Sequence, residues 1–177
     1  GRLYDRIGTR LGFVFSIVVW SGAAVAHAFA TTAGMFKVFR GVLGFGEAGN
    51  WPGAAKVVGE WFPVKERALG MGIFNTGAAL GSAVSPPIIA WLAIAYGWRA
   101  TFIVTGLLGF AWLALWLMLF RVPEKHPWIT DAERAHILSD REGRAASEID
   151  WRPGWGRLLT YRQTWAVVVG RFITDPI

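Results

Sequence analysis

Two opposite charges, Arg40 and Glu47, lie within the apolar stretch 36–61. A charged side chain in the middle of a bilayer costs about 2.5–3.5 kcal/mol on insertion scales, so such residues usually face a protein interior or an aqueous cavity. On a helix that turns 100° per residue, the two side chains are about 20° apart in projection and about 10 Å apart along the axis. They therefore share one face with room for a small ligand, and Gly44 leaves space between them.

The chemistry of this pair fits an organic anion that moves with a proton. A guanidinium group offers a planar fork of donors to a carboxylate and stays charged. A carboxyl group in a low-dielectric site holds its proton more readily than one in water, so Glu47 is a candidate proton carrier. The alternative is that both charges only pair with neighbouring helices and define how those helices pack.

Four other side chains in this apolar stretch and the next one are polar or aromatic. Asn50 and Asn75 can hydrogen-bond a hydroxylated ligand or, equally, join one helix to another. Trp51 can stack on a ring or line a gate. Lys56 projects about 180° from Glu47, so its ammonium group is expected to extend to the membrane surface.

Four long apolar segments must position these residues, and they cover 11–30, 32–58, 68–96 and 98–120. Each has the roughly 20 residues that cross about 30 Å of hydrocarbon, which predicts an all-α integral membrane fold. Pro86 and Pro87 are expected to bend the third segment. The patterns Gly49-x-x-x-Gly53 and Gly77-x-x-x-Gly81 predict close helix approach. A further span is expected to begin within 165–177.

The composition agrees with a membrane protein. Hydrophobic residues make up 54% of the 177 residues and charged residues 17%, against roughly 25% charged residues in a soluble domain. Cysteine is absent, and the sequence has no His/Glu metal spacing, phosphate-binding glycine loop or nucleophile elbow. We therefore expect no metal and no other cofactor, and we do not expect the protein to be an enzyme. Because the basic residues flank apolar segments, the net charge of +6 does not predict a nucleic-acid partner.

The positions of lysine and arginine predict how the chain crosses the membrane. Three lie in 1–10, two in 63–67 and eight in 121–164, whereas only Lys37 and Arg99 lie at the opposite ends of the spans. The positive-inside rule places the three basic stretches in the cytoplasm. Within 121–164, Thr130 and Glu133 fit a capping box, which predicts a short helix over about 131–142.

Several motifs resemble those of the major facilitator superfamily of transporters, and of its anion:cation symporter branch in particular. Residues 1–10, GRLYDRIGTR, resemble the G-x-x-x-D-R-x-G-R-R loop that joins the second and third helices, with Thr9 in place of a basic residue. Residues 40–52, RGVLGFGEAGNWP, resemble the fourth helix of the branch. The segments that look most like hexuronate and other sugar-acid members are 60–68, 72–77, 123–127 and 170–176.

The resemblance covers essentially the whole chain and implies a fold and a set of roles. It implies helices three to six, the central loop 121–164 and the start of helix seven of a twelve-helix bundle. Asp5 and Arg6 would act in conformational gating from the cytoplasmic loop 1–10. Arg40 would help to bind the substrate carboxylate, and Glu47 would take part in proton coupling. The chain is thus expected to be a piece of a longer protein, whose remaining half completes the site.

Residues and resemblance together predict a proton-coupled transporter of organic anions, such as hexuronates or related sugar acids, in a bacterial inner membrane. The expected substrate-binding residues are Arg40, Asn75, Asn50 and Trp51. The expected partners are a small organic anion, protons, the lipid bilayer and the remaining half of the same transporter. Two alternatives stay open. The same machinery could carry tartrate, an aldonate or an aromatic acid, or the protein could be a non-transporting membrane sensor or scaffold.

Overall fold

The computed structural model describes residues 2–145, 156 and 159–174, and every regular element among them is helical. The chain divides into two compact units, Gly1–Asp140 and Arg141–Ile177. Two single turns of 3-10 helix cover Val64–Glu66 and Pro123–Lys125. The α-helices are α1 (Arg2–His27), α2 (Ala33–Glu47), α3 (Asn50–Trp61), α4 (Arg67–Leu119), α5 (Asp131–Ala145) and α6 (Arg162–Thr174).

The long helix α4 contains a break at Gly97 that divides it into residues 67–96 and 98–119. Gly97 has φ 82° and ψ 162°, a conformation that is accessible to glycine and strained for other residues. The break lies between the two apolar segments that end at 96 and begin at 98 in the sequence-based prediction. Pro86 and Pro87 lie inside the first part of α4, where the backbone torsions stay helical through both residues.

The apolar segment predicted as one helix over 32–58 is instead two helices, α2 and α3, separated by a turn at Ala48 and Gly49. Pro52 explains the interruption. Its nitrogen carries no hydrogen, so the carbonyl of Ala48 loses its helical donor, and the proline ring crowds that same carbonyl. Glu47 is therefore the last residue of α2, while Asn50 and Trp51 begin a separate helix.

Residues 1–10, predicted as a loop, are helical from Arg2 onward, with a break at Gly8 (φ 81°, ψ 162°). Their charges suggested a solvated connection, but one side of this segment is buried. Tyr4 is 1% exposed, its ring packs edge-on against Phe13 with a centroid separation of 5.5 Å, and its hydroxyl lies 3.0 Å from Ser16 Oγ. Burial of this aromatic ring favours a helical turn over a solvated loop.

Helix α1 packs against α2 and α3 and also against the second part of α4, and the core of the first unit forms there. The core cluster consists of Tyr4, Phe13, Ile17 and Leu113.

Glycines permit the close approach of α1 to α3. A Cβ atom at Gly53 would lie 2.8 Å from the Phe13 ring, and one at Gly49 would overlap the Ser16 hydroxyl. In contrast, a Cβ atom at Gly77 or Gly81 would meet no described atom within 4 Å. Of the two predicted glycine patterns, only the first is therefore packed against another helix in the described part of the chain.

Gly46 and Gly41 on α2 form a matched pair for a stability test. A Cβ atom at Gly46 would lie 2.7 Å from the backbone nitrogen of Trp20, whereas one at Gly41 would meet nothing within 4 Å. Gly46→Ala should therefore destabilise the fold by about 1–3 kcal/mol, because backbone cannot give way as a flexible side chain can. Gly41→Ala should be neutral or stabilising by up to about 1 kcal/mol. Thermal unfolding in detergent measures both, and equal midpoints would contradict this packing.

Within the described ranges, two helical regions are long and apolar enough to cross a membrane, Tyr4–His27 and Val64–Leu119. The second has 56 residues and a mean hydropathy of 2.2, and only 11% of its most apolar window is buried. With its break at Gly97, this region has the length for two crossings at 1.5 Å per residue. Its exposed side chains include Ile73, Leu80 and Ile94, an apolar surface that suits lipid or further helices.

Candidate functional site

Arg40 and Glu47 lie on the exposed side of α2, next to the buried stripe formed by Leu43 and Gly46. Thr32 caps this helix by accepting a hydrogen bond from the Met35 backbone N–H at 3.2 Å. Because α2 is continuous from Ala33 to Glu47, Arg40 and Glu47 share one face of this helix and lie about 10 Å apart along its axis.

Neither charge of this pair has a hydrogen-bond or ion-pair partner among the residues that the structure describes. The alternative that Arg40 and Glu47 merely join neighbouring helices is thus not realised within this part of the chain. A Cβ atom at Gly44, between them, would have nothing within 4 Å. The face can therefore accept a ligand next to both charges without displacing any described side chain.

Trp51 lies at the start of α3 and packs against α4. Its ring is edge-on to Phe74, with centroids 5.3 Å apart, although half of its surface remains exposed. Asn75 follows Phe74 on α4 and is exposed, while Asn50 is half-buried. Among the described residues, neither asparagine side chain has a hydrogen-bond partner. Ala48 (φ −57°, ψ −21°) and Gly49 (φ −76°, ψ −21°) keep right-handed helical torsions through the turn that separates Glu47 from Trp51.

The predicted gating residues Asp5 and Arg6 differ in their surroundings. Lys56 on α3 donates hydrogen bonds from Nζ to Asp5 Oδ1 at 3.0 Å and to the Tyr4 carbonyl oxygen at 2.7 Å. Arg6 is exposed and makes no ion pair with any residue in the described ranges. The Lys56 ammonium group, expected to extend to the membrane surface, reaches the carboxylate of Asp5, whose side chain is 66% exposed. The break at Gly8 brings Tyr4 beside Gly12 and Ser16, and Asp5 thereby comes within reach of Lys56.

A second contact joins α3 to the same part of α1. Thr9 is 2% exposed, and its hydroxyl donates to Glu60 Oε1 at 2.5 Å. Lys56 and Glu60 are four residues apart, so they lie on one face of α3. Neither contact is among the sequence-based predictions. The available signal was two opposite charges at helical spacing near the end of an apolar segment.

The central segment begins next to the ends of α3 and α4, near residues 61 and 119. The His126 ring lies edge-on to Trp61 at 5.1 Å, and His136 Nε2 donates to Glu66 Oε1 at 3.0 Å. Trp61 and His126 line an open groove of about 400 Å³ that is mainly aromatic and aliphatic. Its chemistry does not suit a small anion. Its lining is Trp61, Trp112, Leu115, Trp116, Leu119, Phe120 and His126.

Helix α5 begins with the capping box. The Thr130 backbone N–H and hydroxyl donate to Glu133 Oε2 at 2.9 and 3.0 Å, and the Glu133 N–H donates to Thr130 Oγ1 at 3.2 Å. The hydrogen bond from the Thr130 backbone, followed by that from its hydroxyl, holds the pKa of Glu133 below its usual range. A carboxyl group whose pKa is lower in the folded state than in the unfolded state stabilises the fold at pH values above its unfolded pKa. This contribution to the free energy of unfolding is lost as the pH falls through the folded pKa.

No cluster of three or more histidine, cysteine, aspartate or glutamate side chains able to hold a metal ion occurs among the described residues. Part of the predicted central loop, at 146–155 and 157–158, lies outside the described residues, as does the end of the predicted next span at 175–177. In the second unit, Trp165 Nε1 donates to the Leu159 carbonyl at 2.9 Å near the start of α6.

The chain is similar in sequence to several curated transporters. Three similar proteins are a hexuronate transporter of Escherichia coli strain K12 (33% identical over 99% of this chain and 41% of the relative), a galacturonate transporter of Dickeya chrysanthemi (32%, over 99% and 51%) and a probable galactarate/D-glucarate transporter of Escherichia coli strain K12 (35%, over 100% and 43%). The chain thus spans about half or less of the length of the curated relatives it matches.

The family model for the Major Facilitator Superfamily matches residues 1–174, nearly the whole chain. Together with the three sugar-acid relatives, this match confirms the resemblance seen in the sequence motifs and the all-α membrane fold that it implied. The three relatives are transporters by name, which supports the expectation that the chain is not an enzyme. The chain belongs to the major facilitator superfamily.

Proposed function

We propose that the protein transports organic anions across a membrane by secondary active transport, coupled to protons. The observation that carries this proposal is the exposed face of α2, where Arg40 and Glu47 lie seven residues apart without a described partner. Two such charges would be expensive against lipid, so they are best explained by an aqueous path and a charged ligand. The names of the relatives favour a sugar acid as that ligand.

In the proposed mechanism, Arg40 holds the substrate carboxylate through paired charge-assisted hydrogen bonds. Glu47 releases and accepts the coupled proton. Asn50 and Asn75, neither of which has a described hydrogen-bond partner, contact substrate hydroxyls, and Trp51 lines the path. Helices from the remaining half of the transporter complete the site at the middle of the membrane.

The electrical balance of transport follows from the charges carried. One monoanion with one proton moves no net charge. A second proton would add a driving force of about 2.3 kcal/mol per 100 mV of membrane potential. Dependence of uptake on membrane potential therefore distinguishes the two stoichiometries.

We further propose the arrangement of the chain in a bacterial inner membrane. Residues 1–10, the 63–67 connection and 121–164 lie on the cytoplasmic side, as the positive-inside rule indicates. Residues 11–120 cross the membrane four times, and 165–177 begin the next crossing. The α2–α3 pair acts as one of these crossings. Its two helices have 15 and 12 residues, and together they exceed the roughly 20 residues that a span requires.

Uptake of labelled galacturonate by the full-length protein in proteoliposomes tests the function. We expect accumulation when the outside is made acidic, and its loss when a protonophore collapses the gradient. Competition with unlabelled glucuronate, galactarate, galactonate, tartrate and an aromatic acid then ranks the substrates. Uptake of another carboxylate but no sugar acid would contradict the substrate assignment and keep the mechanism. No uptake of any of them would contradict transport and favour a sensor or scaffold.

A further inference from the structure

The contacts that α3 makes with the segment 2–10 lie on both sides of the break at Gly8. Lys56 binds Asp5 and the Tyr4 carbonyl before the break, at 3.0 and 2.7 Å. Glu60 accepts a hydrogen bond from Thr9 immediately after it. One face of α3 thus holds the chain on each side of the residue where its direction changes.

The torsions of Gly8 explain why residues 2–7 need contacts with α3 to keep their direction. With φ 81° and ψ 162°, the residue interrupts the helical hydrogen bonds that would otherwise join 2–7 to 9–27. A Cβ atom at this position would meet nothing within 4 Å, so packing around Gly8 itself does not hold the bend. The direction of residues 2–7 depends on side chains at a distance, among them Tyr4 in the core and Lys56 on α3.

The Lys56–Asp5 ion pair is partly exposed, so it affects the orientation of residues 2–7 more than the stability of the fold. The Asp5 side chain is 66% exposed and that of Lys56 29%. Exposed ion pairs of this kind contribute little to the stability of a fold. Lys56 nevertheless bonds a side chain and a backbone carbonyl of the same segment, which restricts where Asp5 can lie. The exposed remainder of the Asp5 carboxylate stays available to groups outside this chain.

We propose that Lys56 is the positioning residue of the gating segment: it holds Asp5, while Glu60 holds Thr9, so that residues 2–7 keep one direction during the transport cycle. This inference rests on the proposed transport function. Lys56 touches neither substrate nor the Arg40 face, because it lies on α3 and turns toward α1. Its loss slows the conformational step and leaves the binding of substrate intact.

Transport kinetics of the full-length protein in proteoliposomes test this role. Lys56→Met keeps an unbranched side chain that is one atom shorter and removes the charge. We expect the maximal rate of galacturonate uptake to fall at least tenfold, with KM within about twofold of the unmodified protein. Lys56→Arg should recover most of the rate. The matched control is Lys37→Met, since Lys37 is a lysine of α2 without a described partner, and its rate should not change.

A double-mutant cycle with Asp5→Asn shows whether the two residues act together. The double variant should be no slower than the slower single variant, because both changes break the same contact. Independent, multiplied losses would overturn the proposal, as would a Lys56→Met rate equal to that of Lys37→Met. If Lys56→Met does not fold, Thr9→Val replaces it. This variant removes the bond to Glu60 with little change in shape, and an unchanged maximal rate would then count against the proposal.

This experiment distinguishes the positioning role from the transport function itself. If the unmodified protein takes up no organic anion, the proposed function fails before any variant is compared. If it transports and the Lys56 variants behave like the control, transport stands and the positioning role is wrong. A loss that follows the amount of folded protein rather than the rate per molecule also overturns the positioning role.

Discussion

Replacing Arg40 with lysine should weaken the binding of a sugar-acid substrate by about 10- to 100-fold. Lysine keeps the positive charge but replaces a planar fork of donors by a single ammonium group, so one of two parallel hydrogen bonds to the carboxylate is lost. A hydrogen bond to a charged group contributes about 1.5–3 kcal/mol, and about 1.4 kcal/mol corresponds to a tenfold change in affinity. Equilibrium binding of galacturonate to the purified full-length protein measures the change directly.

Arg99→Lys is the matched control for the Arg40 variant. Arg99 follows the break at Gly97 in α4, and its guanidinium group stacks on the Trp98 ring at 4.4 Å from the ring centroid. Its replacement should leave the Kd for galacturonate unchanged. If the Arg40→Lys variant binds galacturonate as tightly as the unmodified protein, another group holds the carboxylate.

Replacing Glu47 with glutamine should abolish accumulation against a gradient and preserve exchange. Glutamine has nearly the shape of a protonated carboxyl group but cannot release a proton. Net uptake driven by protons requires that release in every cycle, whereas exchange of labelled for unlabelled substrate moves no net proton. We therefore expect galacturonate to reach only its equilibrium level in Glu47→Gln proteoliposomes, with counterflow within a few-fold of the unmodified rate.

Glu66→Gln provides the comparison for the Glu47 variant, because Glu66 lies in the connection between α3 and α4 and pairs with His136. It should accumulate galacturonate normally. Normal accumulation by Glu47→Gln would transfer the proton-coupling role to a group elsewhere in the transporter. Loss of both accumulation and counterflow would make Glu47 a binding or structural residue rather than a proton carrier.

Features that depend on the chain's local geometry were predictable from the sequence. The break at Gly97 falls between the two predicted segments, and Arg40 and Glu47 share a continuous helix as their spacing required. The capping box at Thr130 and Glu133 forms with both of its hydrogen bonds. Each of these follows from helical periodicity, backbone preference or a contact three residues apart, all of which one stretch of sequence contains.

The interruption between α2 and α3 has a local signal in the sequence that differs from its hydropathy. Pro52 removes the donor that Ala48 needs four residues earlier, yet the continuous apolar character of the stretch favoured a single long helix. Hydropathy reports which solvent a segment prefers and carries no information about a missing backbone donor. At the start of α3, Trp51 packs edge-on against Phe74 on α4.

The sequence by itself determined the class of fold, the family motifs and the two charges that a membrane helix must present to something polar. Tertiary structure alone decided that Lys56 binds Asp5, that Thr9 binds Glu60 and that residues 2–10 form a bent helix with Tyr4 buried in the core. The physical reason is the range of each interaction. Helical spacing comes from backbone geometry within a few residues, whereas the partner of a charge depends on which distant helices pack together and at what register.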